Sequence, residues 1–246
     1  ILADGMGGPA GGDIASSVAL AHLVPLDTDS HPADSMLPLL REALLDAHEE
    51  LTDRSSRDRD LEGLGTTCIA LMRSGNRLAM VHIGDSRAYV VGGGGIRQLT
   101  HDHSALQEAR DLAATSGAPR VIPPANVVTK ALGAGQSGSV KADYTIMPLE
   151  EGDRAVICTD GVHGVLQDAQ IHAIVAAGDG PQGSADALVQ ASLEIGTRDN
   201  TTAVVVYAGT ESRVTLTTNV LNRMIQPVRP ASIQTARRVP RREGSN

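Results

Sequence analysis

Phenylalanine and tryptophan are absent from this 246-residue chain, and three tyrosines bring its aromatic share to only 1%. The core must therefore be assembled from Leu, Val, Ile, Ala and Met, whose smaller faces make close packing matter more than it would with rings. Cysteine is scarce as well. Cys68 and Cys158 stand far apart inside strand-like runs, which excludes a disulfide framework and points to buried thiols in a reducing compartment, the cytoplasm. No apolar run approaches the roughly 18 residues of a membrane span, and no charged segment leads into an apolar stretch at the start. What remains is a hydrophobic content of 41%, enough for a globular core in one large domain or two small ones.

Positive charge is thinly spread through the body and gathered at the end. From Thr210 onward seven Arg face two Glu, giving +5, so the net charge of −8 leaves −13 for residues 1–209. An acidic body argues against nucleic acid as a partner and suits a site that collects cations. The stretch QPVRPASIQTARRVPRREGSN has the composition of a disordered tether, so the expected division is a folded domain at 1–208 and a basic Pro/Arg-rich tail or linker at 209–246. The first residue, Ile1, already lies inside a strand-like run, and a segment upstream of it is expected.

Ile1 to Ala3 read as a strand end, GGPAGG as a turn-rich loop, and Asp13 to Leu23 as a helix. Met36, Leu39, Leu40, Ala43, Leu44, Ala47 and Leu51 share one face of a second helix, with Asp34 as its cap. TTCIALMR, the turn SGN, RLAMVHIG, RAYVV, the turn GGGG and IRQLT alternate as hairpins, which pair antiparallel. YTIMPL, RAVICT and TTAVVVYA supply three more strands, and helices are expected near Ala105–Thr115, Asp168–Ala177 and Ser184–Glu194. Hairpins mixed with helix pairs give antiparallel sheets covered on their outer faces by helices, not a repeating βαβ unit. The Pro-rich stretch from Gly117 to Ala125 reads as a surface connection or as a flap.

Carboxylates stand at the ends of these strands. Asp4 and Asp160 each close an apolar run and are followed by Gly; Asp199 precedes a strand and is followed by Asn. Any one of these dipeptides alone reads as an ordinary turn. In antiparallel neighbours, however, the end of one strand lies beside the start of the next, so the three carboxylates can gather at one rim. Such a cluster repels itself unless it holds a hard divalent cation, Mn²⁺ or Mg²⁺, which takes oxygen ligands. Gly5, lacking a Cβ, lets its carbonyl turn toward a metal or lets a ligand approach closely. Asp102 in LTHDHS is a further candidate, whereas Asp85 in HIGDSRAY reads as a structural residue bonding nearby backbone at a tight turn. Two cations sharing Asp4 would hold a water as the nucleophile for phosphoester hydrolysis.

ADGMGG with GGDIAS, the Gly65-Thr66-Thr67 strand start, VHIGDSRAYV, LTHDHS, NVVTKALG, GDRAVICTDGV and RDNTTAVVV, in that order, resemble the metal-dependent serine/threonine phosphatases of the protein phosphatase 2C type in their bacterial form. The resemblance covers residues 1 to about 208 and implies an α+β fold, a four-layer α-β-β-α sandwich of two antiparallel sheets flanked by helices, lacking its N-terminal strands. It implies that Asp4, Asp160 and Asp199 hold a first metal, Asp4 and the Gly5 carbonyl a second, and Asp102 with Asp160 a third, weaker one. The implied activity is hydrolysis of phosphoserine and phosphothreonine in proteins by a water bridging two Mn²⁺ or Mg²⁺ ions, opposing serine/threonine kinases. The chain departs from the family pattern in lacking the N-terminal arginine and Asn-Glu-Asp run and in the composition of its flap. The first departure motivates the alternative of a phosphatase-like regulatory or binding module with little or no turnover. None of the eight histidines is an assured general acid. His163 is near Asp160 but reads as a turn residue, His101 and His103 flank Asp102 as loop residues, and His82 reads as a sheet residue.

Overall fold

The computed structural model describes residues 1–28, 31–116, 122–134 and 139–209, and the backbone of 217–220. In chain order the elements are β1 (Gly5–Met6), α1 (Gly8–Leu23), α2 (Ala33–Arg57), β2 (Gly65–Thr66), β3 (Cys68–Ser74), β4 (Arg77–Ile83), β5 (Arg87–Gly92) and β6 (Gly95–Gln98). They continue with α3 (Ala105–Ser116), β7 (Asp143–Pro148), β8 (Arg154–Cys158), α4 (Asp160–His163), α5 (Asp168–Ala177), α6 (Pro181–Ile195), β9 (Thr202–Tyr207) and β10 (Thr217–Val220). The larger sheet runs β10-β9-β8-β5-β6 and the smaller β3-β4-β7, with β1 and β2 forming a short ribbon. Every strand pair is antiparallel.

Side-chain alternation along the strands builds the four layers. Cys68 and Ala70 of β3 and Ala79, Val81 and Ile83 of β4 face α1 and α2, where Ala15, Leu23, Met36, Leu40, Leu44 and Leu51 meet them. Ile69 and Met80, the intervening residues, point the other way and join Ala88, Ala155, Ile157, Val204 and Val206 of the larger sheet in a core between the sheets. On the far face Tyr89, Val156, Cys158, Ala203 and Val205 pack on Ile171, Val175, Leu188 and Val189 of α5 and α6. A period of two with both faces buried explains why these strands read as almost unbroken apolar runs. The α-β-β-α sandwich is the architecture expected of the sequence.

Several local expectations are revised. GGPAGG is not a loop, because α1 starts at Gly8, behind Gly7 in the left-handed region at φ 107° and with a proline in its first positions. The glycines there serve close approach: a Cβ on Gly5 would lie 2.0 Å from the Gly12 carbonyl oxygen. Pro32, not Asp34, occupies the N-cap of α2, and Asp34 sits exposed in its first turn, where a carboxylate suits the helix dipole. Ile1–Ala3 contribute one bridge, Leu2 to Ile69, instead of a strand. Four residues assigned to the tail, 217–220, form β10 against β9; the rest of 210–246 and the flap residues 117–121 lie outside the described residues. The two cysteines are buried and unpaired. Among the described residues no helix is long and apolar enough to cross a membrane.

Candidate active site

Asp160 and Asp199 meet as strand pairing requires. Asp160 opens α4 directly after β8, Asp199 precedes β9, and β8 and β9 are antiparallel neighbours with Cys158 opposite Ala203. The two loops are stitched together by Thr159. Its N–H donates to the Thr202 carbonyl (3.1 Å), while its hydroxyl donates to the Asn200 carbonyl (3.1 Å) and accepts from the Thr202 N–H (3.1 Å). Gly161 admits that contact, since a Cβ there would stand 2.2 Å from the Asn200 carbonyl oxygen.

Asp4 does not come from an adjacent strand, as a single-rim arrangement required. It enters from the smaller sheet's side, where the β1–β2 ribbon and the Leu2–Ile69 bridge anchor it. The Asp4 N–H donates to the Thr67 hydroxyl (3.1 Å), and its carbonyl accepts from the Thr67 N–H (2.9 Å) and the Thr66 hydroxyl (3.0 Å). Thr67 Oγ1 in turn lies 2.8 Å from Ser86 Oγ, next to Asp85. The cluster therefore straddles the two sheets.

Its electrostatics show what has been brought together. Burial first, then the charges of Asp160, Asp199 and Asp85, push the Asp4 carboxyl up to about 7. Burial and Asp199 likewise raise Asp160, against hydrogen bonds from the Gly161 N–H and its own. Asp85, the expected structural residue, also belongs to this neighbourhood: burial and then Asp160 push it up to about 6, partly opposed by a bond to its own backbone. Asp199 is exposed, and one of its oxygens accepts the Asn200 N–H at 2.8 Å.

Asp102 is held apart in a different pairing. Arg87 Nε lies 2.9 and 3.0 Å from its two oxygens, Arg87 Nη2 2.7 Å from one of them, and Gln98 donates to the other at 3.2 Å. A cation at Asp102 would have to displace that guanidinium. His101 is exposed and reaches Asp111 at 2.7 Å. His163 directs Nε2 at the Asp85 carbonyl (3.0 Å), and burial followed by the Arg87 charge lowers it to about 4. With that N–H committed to a peptide carbonyl, His163 is not free to protonate a leaving group.

One other group contains residues of metal-ligating type. Among the described residues the set of three with ligand atoms all within 4.8 Å of one another is His82, His103 and Asp143; the oxygens of Asp4, Asp160 and Asp199 are more widely spread. His103 Nδ1 accepts the Gly84 N–H (3.2 Å), so Nε2 carries the proton of the neutral ring and presents it to Asp143 Oδ2 at 3.3 Å. No lone pair is left there for a cation. The two imidazoles also stack, 4.9 Å apart and 19° from parallel, so their in-plane lone pairs run side by side instead of converging. This is a post of two buried imidazoles beside an exposed carboxylate, in which His82 keeps both ring nitrogens without a partner and Asp143 Oδ2 lies 3.9 Å from its Nδ1. The sequence reading did not find Asp143, whose only signal is an acidic residue at the start of a strand.

Known proteins give the arrangement its context. The family model described as "Protein phosphatase 2C" matches residues 1–180. The serine/threonine protein phosphatase PstP of Mycobacterium tuberculosis is 34% identical over 205 residues, 83% of this chain and 39% of that protein, so the chain spans well under half of that relative's length. The serine/threonine phosphatase Stp of Listeria monocytogenes is 29% identical over 210 residues, 84% of this chain and 82% of that protein. Among solved structures, M. tuberculosis PstP/Ppp superposes with a TM-score of 0.74 at 33% identity, covering 82% of this chain and 85% of that one. A PstP catalytic domain in complex with two manganese ions gives 0.72 at 34% identity, covering 82% and 84%.

Proposed function

Since the chain belongs to the protein phosphatase 2C family, we propose that it removes phosphate from phosphoserine and phosphothreonine in proteins with the help of two Mn²⁺ or Mg²⁺ ions. The observation that carries this reading is the gathering of Asp4, Asp160 and Asp199, with Asp85 near them, at the junction of the two sheets, where burial first and neighbouring carboxylates second raise Asp4, Asp160 and Asp85. The donor set fits hard divalent cations, being all oxygen, and a raised carboxyl that repels its neighbours is relieved by a positive ion between them. Asp4, Asp160 and Asp199 hold one ion in this proposal, Asp4 and the Gly5 carbonyl the other. A third at Asp102 and Asp160 is its weakest part, because Arg87 and Gln98 already occupy Asp102. Bound divalent ions lower the pKa of water to roughly 7–9 and neutralise phosphate oxygens.

The chain's own residues prepare the site. Thr66, Thr67 and Ser86 fix the Asp4 peptide, and Thr159 fixes Asp160 relative to Asp199. Partial burial of Asp4 and Asp160 limits screening by water, which strengthens their hold on a cation, while Asp199 stays exposed. Phosphoproteins made by serine/threonine kinases are the proposed substrates, and the cytoplasm the proposed compartment, in keeping with two buried free thiols.

The test is phosphate release from a phosphothreonine peptide with and without Mn²⁺, for the wild type and for Asp199→Ala. Metal-dependent turnover, lost in the variant without a lower melting temperature, is expected. Wild-type protein that binds Mn²⁺ yet releases no phosphate would instead favour a regulatory module.

A further inference from the structure

The chain first passes from the smaller sheet to the larger through a tight turn, Gly84–Ser86, between β4 and β5. Gly84 has φ +106°, and a Cβ there would lie 2.6 Å from Thr67 Cβ, so the turn is pressed against Thr67, the residue between β2 and β3 that bonds the Asp4 peptide. Its second residue, Asp85, is buried, and the charges of Asp160 and then Asp102 disfavour its ionised carboxyl, partly offset by Arg87. A turn that keeps a carboxyl among like charges needs its backbone fixed.

Two imidazoles supply that fixation. His103 brackets Gly84: its N–H donates to the Gly84 carbonyl at 2.8 Å and its Nδ1 accepts the Gly84 N–H at 3.2 Å. Asp143, 3.3 Å from Nε2, holds the ring in that orientation and keeps its proton on the far nitrogen. His163 takes the next peptide group, donating Nε2–H to the Asp85 carbonyl at 3.0 Å. Because His163 lies on α4, which begins at Asp160, that bond ties the turn directly to the helix bearing the opposing carboxyl.

We propose that His103 and His163 are positioning residues that clamp the Gly84–Asp85 turn with complementary roles, one imidazole accepting and the other donating, and so hold the Asp85 carboxyl beside Asp160 and Asp4. The consequence for chemistry rests on the cation-site reading above; the clamp itself does not. Asparagine at 103 keeps an acceptor where Nδ1 stands, and glutamine at 163 keeps a donor where Nε2 stands, whereas leucine removes either role.

The experiment uses the 246-residue chain with His103→Asn, His103→Leu, His163→Gln and His163→Leu. Mn²⁺ affinity is read by calorimetry, and kcat and KM are read on a phosphothreonine peptide. Each leucine variant should weaken Mn²⁺ binding and lower kcat by about tenfold, as expected for one lost buried hydrogen bond, with KM within about twofold. Each amide variant should recover most of both losses. Leucine variants that bind Mn²⁺ and turn over like wild type, or amide variants no better than leucine, would overturn the clamp. Should a leucine variant fail to fold, ¹⁵N NMR of the wild-type imidazoles decides: both rings must be neutral and protonated at Nε2, and any other tautomer refutes the assignment. Wild-type protein that shows these tautomers but no phosphate release would sink the phosphatase reading and leave the clamp standing.

Discussion

In metal-free protein, Asp4→Asn should stabilise the fold at pH 8 and by only roughly a third as much at pH 5. The folded-state carboxyl is pushed from 3.8 to about 7. Between those values folded Asp4 keeps a proton that the unfolded chain has released, so stability falls as pH rises through the window, and the full penalty is felt only above about 7. Three units at about 1.4 kcal/mol each set a ceiling of about 4 kcal/mol. Asparagine still suffers burial as a polar group and water still reaches part of the site, so a gain of roughly 1–3 kcal/mol is the reasonable expectation. For a domain of this size that is roughly 3–10 °C in melting temperature. His103 and His163, both lowered to about 4, impose the opposite trend, since stability they withhold at low pH returns as pH rises toward the ordinary histidine range. Comparing variant and wild type at the same pH cancels that background. Scanning calorimetry in EDTA at both pH values gives the answer, and adding Mn²⁺ at pH 8 should reverse the order, because wild type gains binding energy that the variant has largely lost. A variant destabilised equally at both pH values would show that Asp4 is not under repulsion, and the argument for a cation site would fail with it.

Three other perturbations test the framework. Gly161→Ala forces a Cβ to within 2.2 Å of the Asn200 carbonyl oxygen; it should part Asp160 from Asp199 and lower Mn²⁺ affinity by at least about tenfold, consistent with strain of about 1–3 kcal/mol, and unchanged calorimetric affinity would show that the two loops need no such contact. Ile157→Ala, at a side chain 1% exposed between the sheets, should cost about 2–5 kcal/mol in urea denaturation with Mn²⁺ affinity retained. Cys158, buried, with a thiol that burial first pushes up to about 12, should resist iodoacetamide in folded protein and react once it is unfolded; rapid labelling under native conditions would contradict its place beneath α5 and α6.

The layers were legible because alternation along β3, β4, β5, β8 and β9 is a local property of the sequence, and turns such as Ser74–Asn76 and Gly92–Gly95 announce themselves. The start of α1 was not, since a run of Gly and Pro carries poor helix propensity and only contact with a distant backbone makes it helical. Gly12 meets Gly5 there, a contact that no window of neighbouring residues contains. Assignment of strands to sheets was equally hidden. β4 and β5 follow one another through a tight turn and look like one more hairpin, yet they belong to different sheets.

That crossing explains which parts of the site could be read and which could not. Asp160 and Asp199 follow from adjacency of β8 and β9, which strand-end reasoning captures. Asp4 arrives from the other layer, so its meeting with them depends on how two sheets stack and not on how two strands pair. The hydroxyls of Thr67, Ser86 and Thr159, the imidazoles of His103 and His163, and the Asp143 carboxylate act across long sequence separations with no periodic signature. Carboxyls repel, and their convergence is an unfavourable arrangement that the rest of the fold must impose. Side chains that hold peptide groups are what impose it here, so the residues least visible in the sequence determine whether the most visible ones can work together. In this chain the β4–β5 turn is where both kinds meet, and its displacement would carry Asp85 away from the acidic cluster while leaving every carboxylate in place along the chain.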